Sequence, residues 1–229
     1  MIDRILKPVF DFFLPRICEH CGKKLTASEN IFCGECFSSL QPARTERISH
    51  EYNRKFANER IIDDFQSAFI FVEETPIQSA IHSLKYNGKF KVGIYLGETA
   101  GKLIAEPVKN WEADFLLPVP LFHAKKAERG YNQSFYIAKG FSKILKLPVN
   151  SRIIKRTRYT QTQTALNFEE RKENMLNAFE TKHRKKIKGS KIILVDDVIT
   201  TGSTVRECGR VLKLHGAEKV FALSVAIAE

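Results

Sequence analysis

The chain has 229 residues, 43% of them apolar, and carries 37 Lys and Arg against 26 Asp and Glu, a formal net charge of +11. That length is long for one domain and short for two, and the apolar content allows a sizeable core. No run approaches the ~18 apolar residues that span a bilayer, and a positive field of this size attracts polyanions, nucleic acid among them.

The N-terminus, MIDRILKPVFDFFLPRIC, gathers Val9, Phe10, Phe12, Phe13 and Leu14 but is interrupted by Pro8 and Asp11. It lacks a signal-peptide apolar region and cleavage site. It reads as a short amphipathic segment packed on the protein itself, with contact to a membrane surface as the alternative. The expected location is therefore cytoplasmic, or peripheral at the inner face of the membrane.

Four cysteines follow in the pattern Cys18-x2-Cys21-x11-Cys33-x2-Cys36. Each CxxC pair sets two thiolates on one tight knuckle, and two knuckles complete the tetrahedral four-sulfur set that Zn²⁺ prefers. Clustered cysteines in a reducing compartment favour metal over disulfides. Gly22 and Gly34 would let backbone amides turn toward the sulfurs, and His20 would point outward. A closed four-Cys site leaves no open position for catalysis, so the zinc is expected to be structural. Residues 1–45 are read as this zinc-ribbon unit, 46–64 (ERISHEYNRKFANERIIDD from Glu46 on) as a polar connector or mobile excursion, and 65–229 as an α/β domain.

Within that domain FQSAFIFV (65–72) reads as a strand. TPIQSAIHSLKY (75–86) reads as a helix with Thr75 as N-cap and Pro76 at the first position. KVGIYLGETAGKLIAE (91–106) has helical apolar spacing and is expected to end before Pro107. DFLLPVP (114–120) is a short buried strand and NQSFYIAKGFSKILK (132–146) a helix. KRTRYTQTQTAL, starting at Lys155, has little periodicity, and 168–177 reads as helix. IILV (192–195) is a strand, STVRECGRVLKLHG (203–216) a helix closed by Gly216, and KVFALSVAIA (219–228) a last apolar strand. Such alternation gives a doubly wound parallel sheet covered on both faces. Walker-type and Rossmann glycine motifs are both absent.

The stretch KIILVDDVITTGST (191–204) carries the chemistry. Open α/β sheets take ligands at the carboxyl ends of their strands, and the strand here is expected to stop at the carboxylate pair Asp196 and Asp197. Thr200, Thr201, Gly202, Ser203 and Thr204 then turn into a helix. Unpaired N–H groups, hydroxyl donors, a permissive glycine and the positive end of a helix suit a phosphate. The carboxylates suit sugar hydroxyls, or water around Mg²⁺. A sugar phosphate with free hydroxyls, and Mg²⁺ on further phosphates, meets every part. The bland alternative is a solvated Asp pair before an ordinary Ser/Thr helix start.

Two basic clusters accompany it. In LLPVPLFHAKKAERGYNQS, Pro118, Pro120 and Gly130 fix a turn amid Lys125, Lys126 and Arg129. KRTRYTQTQTALNFEERKEN supplies Lys155, Arg156, Arg158 and Arg171, with Gln161 and Gln163. Beside a phosphate site such cations pair with a second phosphate group. Arg next to Tyr also suits single-stranded nucleic acid, and Tyr86, Tyr131 and Tyr159 qualify. His82, His123, His183 and His215 show no partners and read as surface or satisfied core. Cys208 reads as a small buried residue on an amphipathic helix.

VDDVITTGST resembles the signature of type I phosphoribosyltransferases, which bind 5-phosphoribosyl-1-pyrophosphate (PRPP). By that resemblance Asp196 and Asp197 hold the ribose hydroxyls and Thr200 to Thr204 cradle the 5′-phosphate. The four-Cys ribbon, LKYNGK (84–89), PVPL…RGYNQ (118–133) and the Arg156, Thr160, Gln163, Arg171, Asn174 series, taken together, resemble the ComF family over nearly the whole chain. The resemblance implies a type I phosphoribosyltransferase fold. For the competence members it implies handling of single-stranded DNA during natural transformation, with DNA-uptake machinery as partner. It sets Lys85 and Tyr86 in the LKY motif and Arg129 and Gly130 in a pyrophosphate loop. Arg156, Thr160, Gln163, Arg171 and Asn174 fall in a hood or flexible loop. Phe122 and Lys125 stand where relatives often carry His and Arg. Lys cannot make the bidentate fork of Arg, so Arg129 would carry more of the pyrophosphate contact.

Three functions follow as expectations. The first is a DNA-uptake protein that binds single-stranded DNA and keeps a PRPP pocket with Mg²⁺. The alternatives are an active phosphoribosyltransferase with an unknown acceptor and a non-catalytic PRPP sensor that orders residues 156–164 on binding.

Overall fold

The computed structural model describes residues 15–158, 177–181 and 183–228. The apolar cluster Val9 to Leu14, and the helix expected over 168–177 bar Asn177, lie outside the described residues.

In chain order the elements are α1 Gly34–Ser38, α2 Thr45–Lys55, β1 Asp64–Phe71, α3 Pro76–Tyr86, α4 Phe90–Lys109, β2 Phe115–Pro118, α5 His123–Arg129 and α6 Gln133–Leu145. There follow β3 Ile154–Arg156, β4 Phe179–Thr181, α7 Arg184–Ile187, β5 Lys191–Ile199, α8 Ser203–Leu214 and β6 Lys219–Ala228. Four strands make one parallel sheet in the order β1-β6-β5-β2, and β3 pairs with β4 in a separate antiparallel ribbon. The central strands read as nearly continuous apolar runs because both of their faces are covered. Along β6, Val220 and Ala222 enter one core cluster while Phe221, Leu223 and Val225 enter the other. Helices α3, α4 and α6 supply the cluster on the Phe221 side, and α2 and α8 the cluster on the Val220 side.

Three elements differ from expectation for a tertiary reason, and α5, β3 and β4 form where none was expected. α4 does not stop before Pro107 but runs through it to Lys109. A proline this close to the end removes one ladder bond, and buried Val108, 2% exposed, fastens the last turn to the core. β5 does not stop at Val195. β6 offers partners further along, from Asp196↔Ser224 to Ile199↔Ile227, and the ladder continues through the aspartates. The polar stretch from residue 46 is mostly the helix α2, whose apolar stripe, Ile48 and Tyr52, is too thin to announce it. Its Glu51, 1% exposed, gathers Arg47, Arg54 and Lys55 at 3.1, 2.6 and 2.8 Å. Burial opposes the Glu51 charge, but Lys55 and Arg54 outweigh it and hold the carboxyl at about 2.

α4 and α6 approach closely at two glycines. A Cβ on Gly97 would sit 2.2 Å from the Ile137 carbonyl, and one on Gly140 2.2 Å from the Ile94 carbonyl. This contact fixes where α6 begins, and so where Ser134 sits at the sheet's carboxyl edge.

The cysteine unit continues β1 outward. Pro42 bridges Phe69, the Ala43 amide donates to the Ala68 carbonyl at 2.9 Å, and that of Ile70 to the Gln41 carbonyl at 2.9 Å. Cys18, Leu25 and Phe32 share a core cluster with Phe69 and Ile77.

Candidate functional site

At the carboxyl ends of β5 and β2, several segments converge. Asp196 and Asp197 project from β5 itself, so the pair rides on a hydrogen-bonded strand and not on the loop. Their like charges are answered locally and from afar. Asp196 Oδ1 accepts from the Asp197 amide at 2.9 Å and from the Ser134 hydroxyl at 3.0 Å. Asp197 Oδ1 accepts from the Val198 amide at 2.7 Å, and its Oδ2 lies 2.8 Å from Lys85 Nζ at the end of α3. Asp197 is 4% exposed, and the Lys85 side chain 23%. Burial works against the Lys85 charge, but Asp197 beside it, with Asp196 behind, raises its pKa.

Burial first and the Asp197 charge second push the Asp196 carboxyl from its ordinary 3.8 to about 7. A folded-state pKa above the unfolded value means the native chain holds the extra proton between the two. The contribution of this group therefore falls as pH rises from about 4 to about 7. Asp196→Asn keeps an Oδ1 for both donors and removes the charge. Its melting temperature is expected to exceed that of the unaltered chain at pH 8 by on the order of 3 °C or more, since each kcal/mol moves Tm by ~2–4 °C at this size. The gain should vanish by pH 4. A gain equal at both pH values would refute the titration of Asp196.

Beyond β5, Thr200 is exposed, Gly202 is buried with φ of +74°, and Ser203 opens α8. Thr201 Oγ1 meets Ser203 Oγ at 3.0 Å. Gly202 is required twice over, by its left-handed backbone and because a Cβ there would come within 2.7 Å of the Phe56 ring. Phe56 follows α2, so the segment read as connector packs directly against the Thr-Gly-Ser turn. Arg206 of α8 donates to the Lys55 carbonyl at 3.4 Å and faces Glu59 at 3.7 Å.

The basic clusters close the other side. Arg129 ends α5, and Gly130, φ +77°, caps it in the left-handed region. Arg129 donates to Gln133 Oε1 at 3.0 Å and lies over the Tyr86 ring, 5.3 Å from its centroid. Arg156 on β3 lies over the Phe179 ring at 5.6 Å. Burial, then Arg129, then Arg156, with Lys85 further off, lower the pKa of Lys125. Four cations are thus close enough to feel one another, and one of them holds Asp197. Arg158 is exposed beyond β3. Gln163 and Arg171, with Thr160, Gln161 and Asn174, lie outside the described residues.

Sequence reasoning missed Ser134, Asn132 and the α2 end. Asn132 caps α6, accepting from the Ser134 amide at 3.0 Å and donating to the Val119 carbonyl at 2.9 Å. The available signal was Asn132-Gln133-Ser134, two residues past Gly130 at the head of an apolar helical pattern, which marks a capped helix start.

In the unit packed beside α3, the sulfurs of Cys18, Cys21, Cys33 and Cys36 all lie within 4.8 Å of one another, and those of Cys21 and Cys33 at 3.6 Å. A tetrahedron with Zn–S of ~2.3 Å has edges of ~3.8 Å, so the set could hold such a metal. Backbone amides do turn toward the sulfurs: that of Cys33 lies 3.4 Å from Cys18 Sγ, those of His20 and Cys21 also meet Cys18, and that of Lys23, next to Gly22, meets Cys21. The glycine amides themselves go elsewhere. Gly34 donates to Glu29 Oε1 at 2.7 Å because it starts α1, and Gly22 donates to the Cys18 carbonyl at 3.1 Å. His20 turns away to Ser79, at 2.9 Å. Cys208 is fully buried in α8.

Residues 132–228 match the family model of the phosphoribosyl transferase domain. Competence protein F of Haemophilus influenzae is 28% identical over 218 residues, 92% of this chain and 90% of that one. The DNA utilization protein YhgH of Salmonella typhimurium is 32% identical over 207 residues, 89% of this chain and 81% of that one. Among solved structures, a purine phosphoribosyltransferase from Pyrococcus horikoshii Ot3 aligns at 18% identity over 58% of this chain and 74% of that one, with a TM-score of 0.37. The matched domain, its parallel sheet with a carboxylate pair on β5, and relatives spanning the ribbon and the sheet together give the conclusion that this chain belongs to the ComF family and has the type I phosphoribosyltransferase fold.

Proposed function

We propose that this protein binds PRPP with Mg²⁺ at the carboxyl end of β5 and handles single-stranded DNA in DNA uptake. One observation carries the reading. The carboxylate pair, Asp197 buried and Asp196 half-buried, meets Lys85, which belongs with Lys125, Arg129 and Arg156 to one group of cations, beside a Thr-Gly-Ser turn. Carboxylates take the ribose hydroxyls, the turn and the start of α8 take the 5′-phosphate, and the cations take the pyrophosphate. Mg²⁺, held through water by the aspartates and by the pyrophosphate, would offset the charge of that group when bound. Arg129 and Arg156 each have a fork suited to two phosphate oxygens, and Lys125 adds a point charge. The DNA part rests on the +11 charge and on the names of the relatives. The four-Cys set, by its spacing and sulfur chemistry, is assigned a structural zinc. Residues 1–45 are proposed as the ribbon and 65–229 as the phosphoribosyltransferase domain.

Among the described residues, no helix is long and apolar enough to cross a membrane. The reading puts the protein in the cytoplasm, with the inner membrane face as the place where it would meet DNA.

Calorimetric titration of the zinc-loaded protein with Mg²⁺ and PRPP tests the pocket, and binding is the expected result. Retention of a labelled oligonucleotide should fall steeply between 50 and 200 mM salt, on the order of a hundredfold or more if several phosphates are neutralised. Absence of PRPP heat sinks the pocket reading, and salt-insensitive or absent oligonucleotide binding sinks the DNA reading. Pyrophosphate release during the titration would mark a transferase, and binding without it a sensor.

A further inference from the structure

Outside the carboxylate site, α3, α4 and α6 present a row of aromatic rings interleaved with cations. It begins at the mouth of the site. Tyr86 follows Lys85 and is 61% exposed, with Arg129 over its ring and His82, one turn back on α3, 4.8 Å away. It continues through Phe90, 39% exposed, whose ring lies 4.9 Å from Tyr136 and 6.4 Å from Tyr131. The Tyr131 hydroxyl donates to the Leu84 carbonyl, which ties the row to the end of α3. It ends where Lys139 lies over Phe135 at 5.0 Å and over Tyr136 at 5.8 Å.

In the other direction the row opens into a polar cleft of about 420 Å³ between α3 and the cysteine unit, lined by Glu19, Gln78, Ser79, His82, Ser83 and Asn87. That volume is in the range of small-ligand sites. Two amides and two hydroxyls there can pair with the edge of a base, and His82 belongs to both the cleft and the ring row.

An apolar protein partner or a lipid surface would ask for aliphatic side chains around these rings. Instead their neighbours are Asn87, Lys89, Arg129 and Lys139. Exposed rings spaced along a surface and mixed with cations match single-stranded nucleic acid, whose bases stack while its phosphates meet Lys and Arg. We infer that a single strand lies along this row, stacking one base on Tyr86 at the mouth of the carboxylate site and another on Phe90, with the next base toward Tyr86's end entering the cleft at His82. This deepens the proposed handling of single-stranded DNA and rests on it. It also gives that reading a direction, because the strand would pass the pocket where the ribose phosphate is proposed to sit.

The test uses the full-length zinc-loaded protein and a labelled oligo-dT 15-mer, read by anisotropy, with an oligo-rU 15-mer beside it. Tyr86→Ala and Phe90→Ala are each expected to weaken binding roughly tenfold, the usual cost of one lost base stack. The slope against salt should not change, because no phosphate contact is removed. Tyr86→Trp should restore affinity. An oligonucleotide carrying 2-aminopurine should be quenched by the unaltered protein and much less by Tyr86→Ala. Tyr86 is a surface side chain, so its variant should keep its melting temperature, and this separates lost stacking from lost fold. If the unaltered protein binds the oligonucleotide and both variants bind it equally well, the row is not the docking surface, while the reading of a DNA-handling protein stands. If the unaltered protein binds neither oligonucleotide, both fall. Binding to anionic lipid vesicles that Tyr86→Ala abolishes, with oligonucleotide affinity unmoved, would also overturn the inference and assign the rings to a membrane.

Discussion

Replacing Asp196 and Asp197 together by alanine is expected to abolish calorimetric binding of PRPP with Mg²⁺, a loss of at least about a hundredfold, while the chain remains folded. The magnitude follows from what is removed. Charge-assisted hydrogen bonds contribute about 1.5–3 kcal/mol each, and the two carboxylates would supply at least two of them to the ribose hydroxyls. The tolerance of the fold follows from the geometry. The aspartates are two like charges held in a buried strand, and burial together with mutual repulsion pushes Asp196 up to about 7. Removing both relieves that repulsion and leaves the β5–β6 ladder, which is backbone, untouched. The exposed consequence is Lys85, which loses its partner at 2.8 Å. A half-buried ammonium without a counter-charge is costly, so Asp197→Ala alone should destabilise the chain more than Asp196→Ala alone. Adding Lys85→Met to the double variant should recover stability without recovering binding. Unchanged PRPP affinity in the double variant would refute the pocket assignment. Loss of binding accompanied by loss of the folded transition would call for Asp196→Asn with Asp197→Asn, which keeps the strand's side-chain acceptors.

How far the sequence disclosed this site depends on how local each part is. The order strand, carboxylate pair, Thr-Gly-Ser turn and helix lies within fourteen consecutive residues of the sequence, from Lys191 to Thr204, and it could be read directly. The cysteine knuckles are local for the same reason, since metal ligation fixes spacing. What could not be read is whatever another element supplies. Asp197 finds Lys85 across the sheet, and Asp196 finds Ser134 at the start of a helix whose position depends on the Gly97 and Gly140 contact. The strand ran past its apolar stretch because β6 had partners to give, which no property of VDDVI announces. α2 was missed because its apolar stripe is thin, Ile48 and Tyr52 leading to Phe56, and charged residues share the buried side with it. Glu51 and Lys55 are hidden as an ion pair, so the apolar periodicity that marks an amphipathic helix is weak there.

Cys33→Ser carries the other large effect. The unaltered protein is expected to hold about one zinc per chain, and the variant to lose it. Cys33 is the most entangled of the four. It is 4% exposed, its sulfur lies 3.6 Å from that of Cys21, its amide donates to the sulfur of Cys18, and it stands at the N-cap of α1. Structural zinc in small modules supplies apparent free energies of about 10–16 kcal/mol, more than a unit this small could replace by burial. The damage should not stay local. Cys18, Leu25 and Phe32 belong to the same core cluster as Ile77 and Leu84 of α3. His20 bonds Ser79 at 2.9 Å, and Glu19 holds Lys89 at 2.9 Å. Loosening the ribbon therefore loosens α3, which brings Lys85 to Asp197. Metal analysis, thermal melting and PRPP calorimetry on the same preparations follow that chain of consequence. The expected order is loss of metal, a lower melting temperature, and a weakened but measurable PRPP affinity, because the Thr-Gly-Ser turn and the aspartates stand on β5 and α8 at the far side of α3. A preparation free of metal that melts as the unaltered protein does would refute the structural zinc. One that loses metal and stability yet binds PRPP with undiminished affinity would show that α3 holds Lys85 in place without the ribbon.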